Sequence, residues 1–296
     1  MFKILEARNL AGNIYEMVVE APRVAKRALP GQFLITKMDE VSERIPLTIC
    51  DSDPVKGTID IVFQPVGVST HKYVDCLKAG DYFEDVVGPL GQPSELTKMS
   101  MDELKSLKII FIAGGVGTAP VYPQAKWLHE HGIGCDVIIG AKTKDLVILE
   151  EKMKKVADNV FVTTDDGSYG RSGMVTKCLE DLIAEGHEYN YCVAIGPMIM
   201  MKFTCLTTAK DNIETIVSMN PIMVDGTGMC GACRLTVGDE VKFACVDGPE
   251  FDGHKVDFNK AMQRATLYKT EEGEAMLRYQ EGATHHGGCG NCGGDK

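Results

Sequence analysis

Long apolar runs are missing from this chain. A membrane-spanning helix needs roughly 18 consecutive apolar residues. The best candidate, Ile109 to Tyr122, is interrupted by Gly114, Gly115, Gly117 and Pro120. The N-terminus, Met1-Phe2-Lys3-Ile4-Leu5-Glu6-Ala7-Arg8, lacks the extended apolar core of a secretory signal. Positive charge is also short: 31 Lys and Arg stand against 42 Asp and Glu, a net charge of −11. An acidic surface repels phosphate backbones and anionic headgroups, which argues against nucleic-acid and membrane partners. A cytoplasmic protein is expected. At 44% hydrophobic and 25% charged residues over 296 positions, the chain has the composition of a folded protein of about two domains.

Cysteine is abundant, with eleven residues. The number is odd and a reducing compartment disfavours disulfides. Cys50, Cys76, Cys135, Cys178, Cys192 and Cys205 are scattered and read as small buried hydrophobes. The other five fall in two short stretches near the C-terminus.

Residues 1–98 read as β structure. Thr58 to Gln64 places Ile59, Ile61 and Phe63 on one face of a strand, and 13–20 and 32–38 are similarly rich in β-branched and apolar residues. Glycine and proline turns separate them, which suggests a barrel or sandwich, with one helix over 69–79 closed by Gly80. Residues 93–107 read as a linker with at most one helical turn. From 108 the rhythm changes. Strands are expected at 108–113, 135–141, 159–164, 191–195 and 214–218, with helices between them; Val175, Cys178, Leu179, Leu182 and Ile183 mark a helix over 174–186. Alternating strands and helices imply a doubly wound parallel sheet over 99–220. A small Gly- and Cys-rich unit follows at 221–258. A polar helical segment is expected over 257–281 and a flexible Gly/His/Cys tail beyond it, with Cys289 and Cys292 beside His285 and His286.

Two motifs carry chemistry. Gly114-Gly115-Val116-Gly117-Thr118-Ala119-Pro120 joins a strand to a helix. Glycines let the backbone approach a phosphate, and the helix start presents free N–H donors. The same turn could also be tight packing with no ligand. Gly196-Pro197-Met198 ends another strand, and Asp165 and Asp166 end a third, on the rim where such sheets bind ligands. Carboxylates there accept hydrogen bonds from ribose hydroxyls and repel a 2′-phosphate, which leans toward NAD. Lys142 and Lys144 keep NADP open, and either aspartate could be a turn former beside Gly167.

The second motif is Asp225, Cys230, Cys233 and Cys245, spaced D-x4-C-x2-C-x11-C. With cysteine in place of Asp225 it would be the ligand loop of a plant-type [2Fe–2S] cluster. The small residues between the ligands let backbone N–H groups turn toward sulfur. The alternative is a structural zinc, with His254 as a fourth ligand.

Taken together, these stretches resemble the ferredoxin–NADP reductase superfamily over about residues 1–258. Within it they resemble the dihydroorotate dehydrogenase electron-transfer subunits and, closer still, the small subunits of NADH-dependent reduced ferredoxin:NADP oxidoreductases. The resemblance implies a β-barrel flavin domain, an α/β nicotinamide domain and a small [2Fe–2S] domain, in that order. It implies FAD, NAD(H) and a [2Fe–2S] cluster as cofactors, and a larger flavin and [4Fe–4S] subunit as partner. By resemblance, Arg44 faces the FAD pyrophosphate and Thr48 the isoalloxazine; Ile45, Pro46, Leu47, Val62, Phe63 and Gln64 line the flavin. Gly67, Ser69 and Thr70 form the second phosphate contact, and Gly88-Pro89-Leu90-Gly91 leads out of the barrel. Without the resemblance, Arg44 would read as a solvated surface arginine. Asp225 in place of a cysteine, and the extended tail, depart from the dihydroorotate branch.

Overall fold

Seven antiparallel strands close most of the way into a barrel at the N-terminus of the structure, a computed structural model that describes residues 1–286. They are β1 (Phe2–Ala11), β2 (Ile14–Glu20), β3 (Phe33–Lys37), β4 (Ile45–Asp53), β5 (Thr58–Phe63), β6 (Tyr82–Phe83) and β7 (Asp85–Leu90), in the order β6-β1-β2-β5-β4-β3-β7. Two helices interrupt them, α1 (Pro22–Ala25) and α2 (Val68–Cys76). Ile59, Ile61 and Phe63 point together into the barrel core with Ile4, Val19, Leu34 and Tyr73. Val62, on the opposite face of β5, joins a separate cluster under the neighbouring domain. Pleating assigns these alternate residues to two different interiors.

The stretch expected as a linker is more ordered than its composition suggests. A 3₁₀ turn over Glu95–Lys98 buries Leu96, and α3 (Met101–Ser106) buries Leu104. Ser100 and Glu103 form a reciprocal capping box that starts α3.

The second sheet is built from β8 (Ile109–Gly114), α4 (Thr118–Glu130), β9 (Cys135–Ala141), α5 (Glu150–Met153), β10 (Asn159–Thr164), β11 (Arg171–Ser172), α6 (Val175–Ala184), β12 (Tyr191–Ile195), α7 (Met198–Thr208) and β13 (Glu214–Ser218). These strands are parallel, and the order β11-β10-β9-β8-β12-β13 reverses direction at β8 and β12. Helix α4 packs Val121, Ala125 and Leu128 on one face; α6 and α7 pack Leu179, Leu182 and Met201 on the other. That is a doubly wound sheet, and its ligand crevice is expected outside the carboxyl ends of β8 and β12.

After β13 come β14 (Arg234–Val237) and β15 (Glu240–Phe243), a two-stranded hairpin, then β16 (Glu250–Asp252), α8 (Phe258–Arg264) and α9 (Lys269–His286). Strand β16 pairs antiparallel with β13, Phe251 opposite Val217. The cysteine-rich unit is thus sewn onto the edge of the parallel sheet. Helix α9 returns to the barrel, where the Tyr279 hydroxyl donates to Asp75 on α2. Of the six scattered cysteines, five are buried and Cys76 is half-buried. No helix among the described residues is long and apolar enough to cross a membrane. Cys289 and Cys292 lie outside the described residues.

Candidate functional site

A cavity of about 1080 Å³ opens between the barrel, the carboxyl rim of the parallel sheet and the segment entering the cysteine loop. The barrel contributes Ile45, Pro46, Leu47 and Thr48 from β4, and Val62, Phe63 and Gln64 from the end of β5. Gly67, Ser69 and Thr70 complete that wall at the start of α2. A side chain at Gly67 would meet nothing within 4 Å, so the space beside its Cα is open. Thr70 Oγ1 accepts from Val66 N (3.0 Å) and donates to Gly67 O (3.0 Å), shaping the turn before the helix. The Ser69 hydroxyl donates to Glu43, which also lines the cavity.

The opposite wall is the glycine-rich turn. Gly114, Gly115, Val116, Gly117 and Pro120 line it, with Gly196 and Pro197 alongside. A Cβ on Gly117 would lie 2.2 Å from the Ile195 carbonyl oxygen, and one on Gly114 would lie 2.4 Å from Met200 Sδ. These glycines are required for the close packing of turn, strand and helix. Gly115 is different: it has φ +55° and empty space beside it. Thr118 and Ala119 are buried beneath the turn, where Thr118 Oγ1 donates to Gly115 O at 2.9 Å. Met198 packs into the core behind the rim, and Met200 takes the lining position instead.

The two rim aspartates separate. Asp165 lines the cavity beside Lys142. Asp166 does not; its Oδ1 accepts from Ser168 N (3.0 Å) and Ser168 Oγ (2.6 Å), which holds its carboxyl below the usual range. It forms the turn ahead of Gly167. Lys144 is likewise off the cavity, with Nζ 5.3 Å from the Tyr169 ring centre. Sequence reasoning missed Met174, Phe203, Met219 and Pro249, which also line the cavity. Met219 directly follows the carboxyl end of β13, so the rim rule applied to that strand would have found it, with Asn220 and Pro221.

Arg44 is not among the lining residues. Its guanidinium lies 3.7 Å from the Asp85 carboxylate, and Nη2 donates to the Asp225 carbonyl at 3.4 Å. Two acceptors draw it to the junction between barrel and cysteine loop.

That loop runs from Asp225 to Cys233, ahead of β14. Gly226 (φ +84°) and Gly228 (φ +87°) take left-handed backbone that wraps it into a tight coil. Cys233 and Cys245 are buried with their sulfurs 3.3 Å apart, and Cys245 N donates to Cys233 Sγ at 3.4 Å. Burial and the Cys233 sulfur push the Cys245 thiol up to about 12. Cys230 is exposed at the loop tip, and backbone hydrogen bonds from Ala232 and Asp225 hold its thiol below the ordinary value. The Asp225 carboxylate accepts from Thr227 N (2.9 Å) and from the Thr227 hydroxyl, which lower it. Among the described residues, no three His, Cys, Asp or Glu side chains are gathered tightly enough to hold one metal ion. His254 Nε2 donates to Ile213 O at 3.0 Å, away from the loop. Soft sulfur donors approaching in a pair, with backbone amides turned onto them, fit an iron–sulfur cluster, in which each iron takes two protein ligands.

Residues 220–257 match the model of the iron–sulfur cluster binding domain of dihydroorotate dehydrogenase B. The chain is 59% identical to an uncharacterised protein in the adh 3′ region of Clostridium beijerinckii, over 100% of both chains. It is 42% identical to a dihydroorotate dehydrogenase B (NAD(+)) electron transfer subunit homolog of Thermotoga maritima, over 94% of this chain and 95% of that one. The identity to the electron transfer subunit of Streptococcus pneumoniae strain R6 is 33%, over 84% and 94%. Among solved structures, a chain described in work on flavin-based electron bifurcation by an NADH-dependent reduced ferredoxin-NADP oxidoreductase superposes with a TM-score of 0.86 at 40% identity, covering 95% and 98%. A cytochrome P450 reductase from Amycolatopsis shares the fold at 17% identity and a TM-score of 0.60, over 72% and 66%.

Proposed function

This chain belongs to the family of dihydroorotate dehydrogenase B electron-transfer subunits and their homologues, and on that premise we propose that it passes electrons between NAD(H) and a larger flavin and [4Fe–4S] subunit through FAD and a [2Fe–2S] cluster, as the NADH-side arm of an electron-bifurcating ferredoxin/NADP/NAD reaction. Bound flavin would supply the exchange between the two-electron hydride and single electrons, and a bound cluster would relay those electrons one at a time. The chain's own residues bind and position. Pro46 to Thr48 and Val62 to Gln64 form a largely apolar wall that suits a planar ring. The start of α2 offers amides to a diphosphate, and the glycine-rich turn ahead of α4 does so for a second one. Cys230, Cys233 and Cys245, with Asp225, would hold the iron. No side-chain nucleophile or general base enters.

The observation that carries this reading is the shared cavity. The barrel turn, the glycine-rich turn and Met223, two residues before Asp225, all line one space. The 40% identity to the ferredoxin-NADP oxidoreductase chain favours the bifurcating partner. The 33% identity to the Streptococcus pneumoniae subunit favours a second reading, in which the partner is an FMN-bearing dihydroorotate dehydrogenase. Purification of the native complex tests both. The expected result is a yellow-brown complex with one FAD and two irons on this chain and a [4Fe–4S]-bearing partner. An FMN dehydrogenase as partner selects the second reading, and a colourless zinc protein overturns both.

A further inference from the structure

Behind the cavity floor, a charged network ties the two large domains together. Ile14, Val62 and Val116 line the cavity, and all three belong to a small apolar cluster with Cys50, Ala119 and Ile148. On β2, two residues beyond Ile14 and on the same face, stands Glu16, whose side chain is 0% exposed. On β5, two residues before Val62, stands Asp60. Lys152 of α5 reaches both: its Nζ is 3.3 Å from Glu16 Oε1 and 4.0 Å from Asp60 Oδ2. It also lies 5.6 Å from the centre of the Tyr122 ring on α4. Arg8 on β1 is the second cation on Glu16. A parallel strut joins Lys126 of α4 to Asp51 of β4 at 2.8 Å. All three carboxylates sit on barrel strands, and both lysines sit on helices of the other domain.

The backbone holds Lys152 in place. Helix α5 is preceded by its cap residue Leu149, which has φ 58° and ψ 13°, a left-handed conformation that a branched side chain adopts only when its surroundings impose it. Here Ile148 is buried in the interdomain cluster and Leu149 packs against it. Most other ion pairs among the described residues lie on the surface, where such contacts contribute little. The Glu16 carboxylate is fully buried while Lys152 is about a third exposed, so loss of Lys152 leaves a buried charge short of a partner.

We propose that Lys152 is a positioning residue for hydride transfer: by tying Glu16 and Asp60 to α5 it sets how the barrel wall docks on the glycine-rich turn where Ile14, Val62 and Val116 meet at the cavity floor. This rests on the reading that a flavin on the barrel wall meets a nicotinamide on the turn. A reaction between two separately held rings is steep in their separation, and misplacement by about 1 Å can cost on the order of 100-fold.

The test compares wild type, Lys152→Met, Lys152→Arg and Lys126→Met by stopped-flow reduction with NADH and by calorimetry of the full chain as purified. Lys152→Met is expected to lower the flavin reduction rate at saturating NADH by about 10-fold or more, with the NADH dissociation constant nearly unchanged, and Lys152→Arg to restore most of it. In calorimetry, wild type melts in one transition and Lys152→Met in two, because the domains no longer unfold together. If Lys152→Met does not fold, Lys126→Met decides, with a smaller rate loss and the same splitting expected. Variants that keep the wild-type rate and a single transition overturn the proposal, as does a wild type that already melts in two. A wild type that NADH does not reduce overturns the functional reading instead, while calorimetry still reports whether Lys152 ties the domains.

Discussion

Cys233 Sγ stands 3.3 Å from Cys245 Sγ across a separation of 12 residues. The hairpin of β14 and β15 makes that meeting possible: Arg234 pairs with Phe243, so the residues flanking the hairpin come out side by side. The register of a two-stranded sheet thus sets the spacing of the two sulfurs. With Cys230 on the loop tip, we propose Asp225 for the fourth ligand position; its carboxylate, held here by Thr227, would give up those hydrogen bonds to bind iron.

Replacing Asp225 tests that fourth position. Carboxylate is a harder and less electron-releasing ligand than thiolate. Asp225→Cys is expected to keep a [2Fe–2S] cluster, lower its reduction potential and shift its EPR g-values. Asp225→Ala is expected to lose iron. EPR-monitored redox titration and iron analysis check both. Unchanged spectra and potentials in both variants would show that the ligand lies elsewhere.

The rim aspartates predict cofactor choice and divide the work unequally. Flavin reduction is expected to be faster with NADH than with NADPH at equal concentration. Asp165→Ser is expected to narrow that preference by on the order of tenfold, the factor that about 1.4 kcal/mol produces. Asp166→Ser is expected to leave it within about twofold, since that carboxylate is engaged with Ser168 and lies off the cavity. Stopped-flow traces at several concentrations of each nucleotide decide the matter.

Asp60 predicts a pH-dependent stability change. Burial, then the neighbouring Asp51 and Glu16 carboxylates, raise its carboxyl to about 6. A carboxyl raised above its unfolded value binds protons more tightly when folded. Its ionisation therefore costs stability, fully above the folded value, and the cost disappears as pH falls toward the unfolded value. Asp60→Asn removes the cost. The variant is expected to be more stable than wild type at pH 8, by up to about 3 kcal/mol, and to lose that advantage as pH falls from about 6 toward 4. Urea melts across that range measure it; an advantage that grows on acidification contradicts the sign.

The glycine-rich turn predicts two distinct losses. A methyl at Gly117 would press on the Ile195 backbone at 2.2 Å, which cannot move without disturbing β12. Gly117→Ala is expected to destabilise the fold by roughly 1–3 kcal/mol, seen as a lower Tm. Gly115→Ala meets no atom but forces alanine into φ +55°, at about 1–2 kcal/mol, and places a methyl in the cavity. It is expected to weaken NADH binding as well, which Gly117→Ala does only through stability. Circular dichroism melts and NADH titrations separate the two.

The sequence by itself determined the parallel sheet and the cysteine loop. The strands at 135–141, 159–164, 191–195 and 214–218 are apolar runs bounded by turns, and they occupy the expected positions because a buried parallel strand is apolar on both faces. The loop from Asp225 to Cys233 was legible because its spacing and its glycines are local. Everything set by distance across the chain came from packing alone. Strand β1 exposes most of its residues and so has no alternating pattern to read. Strand β16 is three residues long and owes its existence to β13. Arg44 turns to Asp85 and Asp225, and Asp165 parts from Asp166, because packing and hydrogen bonds rather than residue type fix where a side chain points. The pairing of Glu16 with Lys152 joins residues 136 apart. Periodicity reports which face of an element is apolar; it carries no record of which charged groups the folded chain will bring together out of water.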